Sequence, residues 1–395
     1  MQTFNYRGYD QAGHLRKGLV EAVNAKDARK RLAATGTLVE DISAAGAGAR
    51  FPVEDRLVFY RELSSLLGAG LPMVKALDTL IETPGAEHSR ALLAGVRDAV
   101  REGAALSDAL AAAAESVGVF EQSVIKAAER SGDVEHMLER LSGFLEEREH
   151  LRQRVLSALI YPAIVFVVGV LVAIVMLGFL VPRAQDILVK ADVPLPAITK
   201  AMIGLGSMAV RVGAPALIAL AVGMLVLRRR MGSDEDLRVR WDRFLFGFPL
   251  VGKGYAILVN LRFAQTLAVL TRGGVPLMEG LVLAGKASGS PWVARLSERG
   301  GEEVRHGSSL SDAVREIPPL AEALPGWIRI GEAGGGMERL LDTAGRRYAE
   351  RWDRFIARCL SFLEPVLILI IGAFVLLVTL SIVLPVISLS QGITG

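Results

Sequence analysis

The side chains able to do acid–base or metal chemistry are few and scattered. The five histidines are His14, His88, His136, His150 and His306, and no two stand at a spacing that would share an ion. His136 and His150 come closest, yet on one helix their positions would lie about 21 Å apart. The single cysteine, Cys359, excludes a disulfide framework and a cysteine-based zinc site. Gly280–Ala287, GLVLAGKA, falls short of a phosphate-binding loop. It lacks the Ser/Thr that holds magnesium, and it sits inside a helical pattern rather than after a strand. No nucleophile elbow or zinc-protease motif occurs. The expectation is a protein that is not an enzyme, with no cofactor, no metal and no nucleic-acid partner.

The polar residues with most to say come in a matched pair. Glu129 is followed by Gly132, and Glu332 by Gly335. Each glutamate reads either as a helix-end carboxylate beside a tight turn or as a partner contact or inter-helix polar lock. Glu129, Arg130, Arg329 and Glu332 are the candidate partner-contact residues. A second set belongs to membrane-helix packing: Pro162, Gly169, Ala173, Glu364, Pro365 and Gly372. Gly169 and Ala173, with Gly178, make a small-residue face suited to helix contact. Glu364, just before Pro365, reads either as a cap on a membrane helix or as a group facing a partner's helix, the cap being favoured.

These pairs recur because the chain repeats itself. Phe59–Leu77 reads FYRELSSLLGAGLPMVKAL and Phe263–Leu281 reads FAQTLAVLTRGGVPLMEGL. A shift of 204 puts Phe59, Leu63, Leu66, Gly70, Pro72 and Leu77 on Phe263, Leu267, Leu270, Gly274, Pro276 and Leu281. The shift continues through Gly103, Leu106, Ser107 and Asp108 onto Gly307, Leu310, Ser311 and Asp312. After one deletion it becomes 203, carrying Glu129, Pro162, Gly169 and Pro182 onto Glu332, Pro365, Gly372 and Pro385. Apolar positions at i, i+4, i+7 and i+8, then Gly, then Pro, predict a helix stopped by Gly70 and another begun with Pro72 in its first turn. Ser107 is expected to cap the fourth helix. The polar positions diverge, so one scaffold is used twice toward different surroundings.

The whole reads as a mainly α membrane protein. Residues 1–42 are a small N-terminal α+β unit, with Asn24 and Asp27 capping its helix and Gly36 closing it. Residues 43–52 are a linker, and 53–154 are the first cytoplasmic helical bundle, of roughly six helices. Transmembrane helices are expected at 155–182, 207–227 and 362–386. Residues 183–206 form an outward-facing loop, 228–358 the second, homologous bundle, and 387–395 an outward-facing tail. A hydrophobic fraction of 51% supports the spans. The opening MQTFNYRGYD has neither a basic n-region nor an apolar h-region, so a signal peptide is not expected. Arg148, Arg152 and Arg154 precede the first span, Arg228–Arg230 follow the second, and five arginines between Arg346 and Arg358 precede the third. That asymmetry puts the N-terminus and both bundles in the cytoplasm and the C-terminus outside, on the periplasmic side. Residues 53–154 hold 12 Lys/Arg against 18 Asp/Glu, whereas 228–358 hold 21 against 16. An acidic first and a basic second bundle are expected to pair electrostatically, within a chain or between subunits.

Several of these residues carry a family pattern: Gly70–Leu71–Pro72 with Gly274–Val275–Pro276, GAALSDAL with GSSLSDAV, Glu129 and Gly132 with Glu332 and Gly335, Tyr161–Pro162 with Glu364–Pro365, and Val181–Pro182 with Leu384–Pro385. The chain resembles the type II secretion system protein F family, the inner-membrane platform proteins of type II secretion and type IV pilus machines, over nearly its whole length. The resemblance implies a non-enzymatic, homo-oligomeric platform in the cell inner membrane. It would engage a cytoplasmic secretion or pilus ATPase, other inner-membrane assembly components, pilins or pseudopilins, and membrane lipid. It also implies that the three acidic calcium positions of some secretion members fall here on Gly85, Glu139 and Gly143, only one of them acidic, so no calcium site is expected. A membrane transporter or channel component is the alternative, but the expected spans carry ionisable groups, Arg211 and Glu364, only near their ends.

Overall fold

The structure is a computed structural model and describes residues 2–11, 13–44, 51–83, 89–180, 182–183, 200–202, 204, 208, 212 and 214–392. Residues 45–50 of the expected linker, most of the expected outward loop and 393–395 of the tail lie outside the described residues. The chain divides into two compact units, 1–151 with 242–350, and 152–241 with 351–395.

The first unit opens with the expected α+β element. Strands β1 (Gln2–Tyr9), β2 (Leu15–Ala22) and β3 (Leu38–Ala44) form an antiparallel sheet in the order β2-β1-β3. A register shift at Arg7/Gly8 fits the absence of a side chain at Gly8, where a Cβ would sit 2.4 Å from the Leu38 carbonyl oxygen. Helix α1 (Ala25–Ala34) is capped as expected. The Asn24 side chain accepts from the Asp27 N–H, and the Asp27 carboxylate accepts from the Val23 N–H. Gly36 follows at φ +78°.

Six helices make the first bundle: α2 (Val53–Gly68), α3 (Met73–Glu82), α4 (Arg90–Arg101), α5 (Leu106–Ala113), α6 (Val119–Ser131) and the start of α7 (Val134–Val175). Their apolar faces meet in a core holding Phe59, Tyr60, Leu63, Leu77, Leu92, Leu110, Ile125, Leu138 and Leu141. The repeated turn works as its sequence demands. At Gly70 (φ +83°) the N–H bonds to Leu67 O and the next N–H to Leu66 O. At Gly274 (φ +72°) the partners are Thr271 O and Leu270 O. Pro72 and Pro276 stand at the N-cap, one position before the expected first turn.

The second bundle follows the same course: α9 (Glu235–Gly247), α10 (Val251–Arg272), α11 (Leu277–Ala287), α12 (Pro291–Arg305), α13 (Leu310–Arg315), α14 (Leu324–Gly334) and the start of α15 (Met337–Gly392), with α8 (Ala214–Ser233) before them. Within the chain, the described seam between the two bundles is apolar. Leu270, Val275 and Leu283 of the second are buried in the core of the first, and Gly273 lies against the Met137 side chain. Net charge counts every exposed side chain, but a close contact is decided by the few residues at the seam. At that seam Arg262 is pushed down by burial and by the neighbouring, like-charged Arg148.

Three described helices are long and apolar enough to cross a membrane: Val134–Leu180, Val251–Arg272 and Met337–Val383. The first covers 155–180 of the expected first span, and the third covers 362–383 of the expected third span. The middle one is α10, and 56% of its most apolar window is buried inside the first unit, against 0% and 11% in the others. Phe263, Leu267 and Leu270 use that surface for the bundle core. Residues 214–227 of the expected second span lie on α8, where Val222, Met224, Leu225 and Val226 are exposed; of 207–213 only 208 and 212 are among the described residues.

Candidate functional site

Glu129 and Glu332 do the same thing in each repeat. Helix α5 begins after Ala105, which has no side chain to cap it. The Glu129 carboxylate, reaching across from α6, accepts the Leu106 N–H and the Ser107 hydroxyl, the latter at 2.7 Å. Glu332 on α14 accepts the N–H groups of Leu310 at 2.6 Å and Ser311 at 3.3 Å. A carboxylate at a helix N-terminus satisfies orphan N–H groups and meets the favourable end of the helix dipole. The inter-helix lock is therefore the reading that the geometry supports for both residues. Ser107 is not an N-cap: it lies inside α5 and donates to Glu129. In the second repeat a serine does cap, Ser309, which accepts from the Asp312 N–H at 3.0 Å. Gly132 and Gly335 follow the two glutamate helices at φ +76° and +73°.

Arg130 is exposed on α6, one turn after Lys126. Both line a cleft of about 500 Å³ in the first unit, with Ser123 and Ser131 on the same helix and Gly273–Pro276 and Glu279 opposite. This cleft lies where the two repeats touch. Arg329, the repeat counterpart of Lys126, is exposed on α14 next to Ile330, which is 60% exposed. Arg130 and Arg329 thus offer exposed cationic surface, whereas Glu129 and Glu332 are engaged within the fold.

A buried polar cluster in the first repeat escaped the sequence reading. Arg56 pairs with Glu121 at 3.3 Å, and the Tyr60 hydroxyl donates to the same carboxylate at 2.9 Å. Burial pushes the Glu121 carboxyl up, while Arg56 and Tyr60 hold it down; burial and Glu121 together push Tyr60 well up. Arg56 also donates to the Ser116 carbonyl. In the second repeat the matching positions are Asn260, Ala264, Leu324 and Pro319, and Asn260 donates to the Pro319 carbonyl at 2.6 Å. The bond to that carbonyl is kept and the ion pair is not. The signal available in the sequence was Arg56 standing among apolar positions of the first helix.

The N-terminal unit is tied to α4 by another cluster. The Thr3 N–H donates to Asp98 at 2.7 Å, and Arg97 donates to Asp98, Asp78, Thr3 and Glu21. In the second bundle, buried Asp242 on α9 accepts from Tyr255 at 2.6 Å, from Ser290 and from the Trp292 N–H at 3.0 Å, fastening α9 to α10 and α12.

In the second unit the packing candidates separate. Gly169 lies against Ile371, whose Cδ1 would stand 2.7 Å from a Cβ at position 169. Gly372 has open space around it. Ala173 is half-buried on α7. The Tyr161 hydroxyl donates to Glu364 at 3.4 Å, and Arg154 pairs with Asp353 at 3.0 Å. Glu364 is no cap, because α15 is already 27 residues long when it reaches that position. Pro162 and Pro365 sit inside unbroken helices, each forgoing one ladder hydrogen bond.

The described histidines are all exposed, and each meets a group near it in the sequence: His14 with Asp10, His136 with Asp133, His150 with Glu146 and His306 with the Glu302 carbonyl. His88 lies outside the described residues, as does Gly85 of the calcium positions; Glu139 and Gly143 are on α7. GLVLAGKA is helical throughout, inside α11.

Comparison with known proteins gives one consistent result. The family described as type II secretion system (T2SS), protein F matches twice, over residues 59–182 and 263–385. The N-terminal domain of type II secretion system protein F matches residues 1–43. Type II secretion system protein F of Pseudomonas aeruginosa is 29% identical over 99% of both chains. That of Aeromonas hydrophila is 31% identical over 84% of this chain and 85% of its own. The type IV pilus assembly protein PilC of Thermus thermophilus is 29% identical over 98% of this chain and 97% of its own.

Proposed function

This chain belongs to the type II secretion system protein F family, and from that premise we propose that it is the inner-membrane platform of a type II secretion or type IV pilus machine. In this reading it couples a cytoplasmic ATPase to the assembly of pilins or pseudopilins. Both bundles and the N-terminus face the cytoplasm, the C-terminus faces outward, and α8 is the second span. The observation that carries the reading is the division of labour between the repeats. The turn at Gly70/Gly274 and the lock at Glu129/Glu332 are the same in both, while the exposed residues around Arg130 and Arg329 differ. A scaffold kept twice with two different surfaces suits a protein that holds two partners at once. No residue in it has to do chemistry: its polar clusters at Arg56, Arg97 and Asp242 are fasteners between helices.

The test is photo-crosslinking in cells from Arg130 and from Arg329, with mass spectrometry of what is captured. Capture of a secretion or pilus ATPase from either position supports the coupling. Capture of copies of the chain alone from both would remove the ATPase contact from these surfaces.

A further inference from the structure

Among the described residues of the first unit, large apolar side chains are exposed singly at Val58, Val119 and Ile330 and as a cross-strand trio at Tyr9, Leu15 and Leu38, but a larger group stands elsewhere. Phe244, Leu245, Phe248, Leu250 and Val251 are all exposed, Leu250 by 67% and Phe244 by 58%. They occupy the end of α9 and the turn into α10. With Trp241 they include the helical spacing i, i+3, i+4, i+7 on the face of α9 opposite Asp242 and Phe246. Those two hold the helix to its bundle, Asp242 through its three hydrogen bonds and Phe246 by ring contacts with Tyr255 and Trp292 at 4.7 and 5.6 Å. The outward face is thus fixed rather than free to turn in. Exposed cations accompany it at Arg240 and Lys253, while Arg243, also exposed, lies over the Trp292 ring at 5.7 Å. Apart from buried Asp242, the acidic residues of α9, Glu235 and Asp236, are at its other end, with Asp234 just before them.

We infer that this face lies in the headgroup layer of the membrane and binds anionic lipid. Chain connectivity selects that occupant. Only Asp234 separates α9 from α8, so the patch follows within a short helix of Arg228–Arg230, the basic end of the expected second span. Aromatic and leucine side chains flanked by arginine and lysine are the composition of an interfacial helix, with rings at headgroup depth and cations toward lipid phosphates. The bilayer surface would then clamp the second bundle through α9, beyond the hold its spans provide. The inference rests on α8 crossing the membrane.

Both ideas are tested together on the full-length chain. In a Cys359→Ser background, single cysteines replace Val222 on α8, Phe248 in the patch or Glu316 on an exposed helix end of the second bundle. Each is labelled with a small environment-sensitive fluorophore and reconstituted into nanodiscs containing phosphatidylglycerol and bromine-labelled acyl chains. The expected result is about twofold or greater quenching by bromolipid at 222 and 248, none at 316, and weaker quenching at 248 once phosphatidylglycerol is replaced by phosphatidylcholine. Quenching at 222 with 248 as open to aqueous iodide as 316 would overturn the inference and leave the span standing. No quenching at 222 would sink the span and the inference together. A site at 248 shielded from iodide yet unquenched by lipid would assign the patch to a protein instead, which also overturns it.

Discussion

The Ser107 hydroxyl donates to the Glu129 carboxylate at 2.7 Å, across the gap between α5 and α6, and Glu332 makes the equivalent lock to Leu310 and Ser311 in the second repeat. Each glutamate serves two donors at the start of a short helix that has too few turns to hold itself. Glu129→Ala should therefore lower the unfolding free energy by about 2–3 kcal/mol, since a charged acceptor is removed and the Leu106 N–H is orphaned. Glu129→Gln keeps one acceptor and should lose roughly half as much. Thermal unfolding of the purified chain in detergent measures both. If Glu129→Ala melts with the parent, the carboxylate is not a lock.

Arg56 and Asn260 bond to matching carbonyls, but only Arg56 brings a buried charge. Removing one partner of a buried pair strands the other, so Arg56→Asn and Glu121→Gln should each be destabilising, by about 2–4 kcal/mol. Together they remove both charges of the pair, leave Arg148 as the nearby cation, and keep a Gln that can still accept from Tyr60. The double variant should then be more stable than the sum of the singles by about 1–3 kcal/mol. A double-mutant cycle reads this directly, and strict additivity would mean that the two side chains do not depend on each other.

Much of this was legible beforehand, and the reasons are local. A glycine that must take positive φ and a proline that starts a helix mark the same turn twice, so Gly70–Pro72 and Gly274–Pro276 could be placed from spacing alone. Asn24, Asp27 and Gly36 announced α1 in the same way. What was missed depends on what each helix packs against. Composition cannot say whether the apolar side chains of α10 meet lipid or a bundle; it was the repeat, setting Phe263 on Phe59, that placed them in the bundle. Nor can net charge reveal that Leu270, Val275 and Leu283 make the seam between bundles. Glu364 read as a cap because Pro365 suggested a helix start, but α15 runs through the proline without a break. The stripe at Trp241, Phe244, Leu245 and Phe248 was visible in the sequence and became meaningful only once Asp242 and Phe246 were seen to fix the opposite face.

Tyr255 gives a pH dependence. Burial, then its bond to Asp242 and the charge of that carboxylate, push the phenol well above its ordinary value. Tyr60 is raised in the same sense by burial and Glu121. Above pH of about 10 the unfolded chain releases these protons while the folded chain keeps them, so the native state binds more protons and stability falls as pH rises. Below that value the two states hold the same protons and the contribution is flat. Melting temperatures taken between pH 9 and 11.5 should decline, and Tyr255→Phe should show a shallower decline from a lower starting point. An unchanged slope in that variant would show that Tyr255 ionises as freely in the folded chain as in the unfolded one.

Gly169 and Gly372 hold equivalent places in the two repeats, yet among the described residues only Gly169 is at a contact. A Cβ at 169 would meet the Ile371 Cδ1 at 2.7 Å, whereas position 372 opens on space. The atom in the way is the tip of a flexible side chain, so Gly169→Ala should be absorbed by a rotation of Ile371 at a cost of under about 1 kcal/mol. Gly169→Leu has no such escape, because its branch must occupy the volume that Ile371 fills. Overpacking of that kind costs about 1–3 kcal/mol and should lower the melting temperature of the detergent-solubilised chain. Gly372→Leu should leave it within error of the parent. In the variant pairing Gly169→Leu with Ile371→Ala, the freed volume should restore most of the loss. Failure of that rescue, or equal damage at 372, would mean that the two long helices do not pack through Gly169 and Ile371.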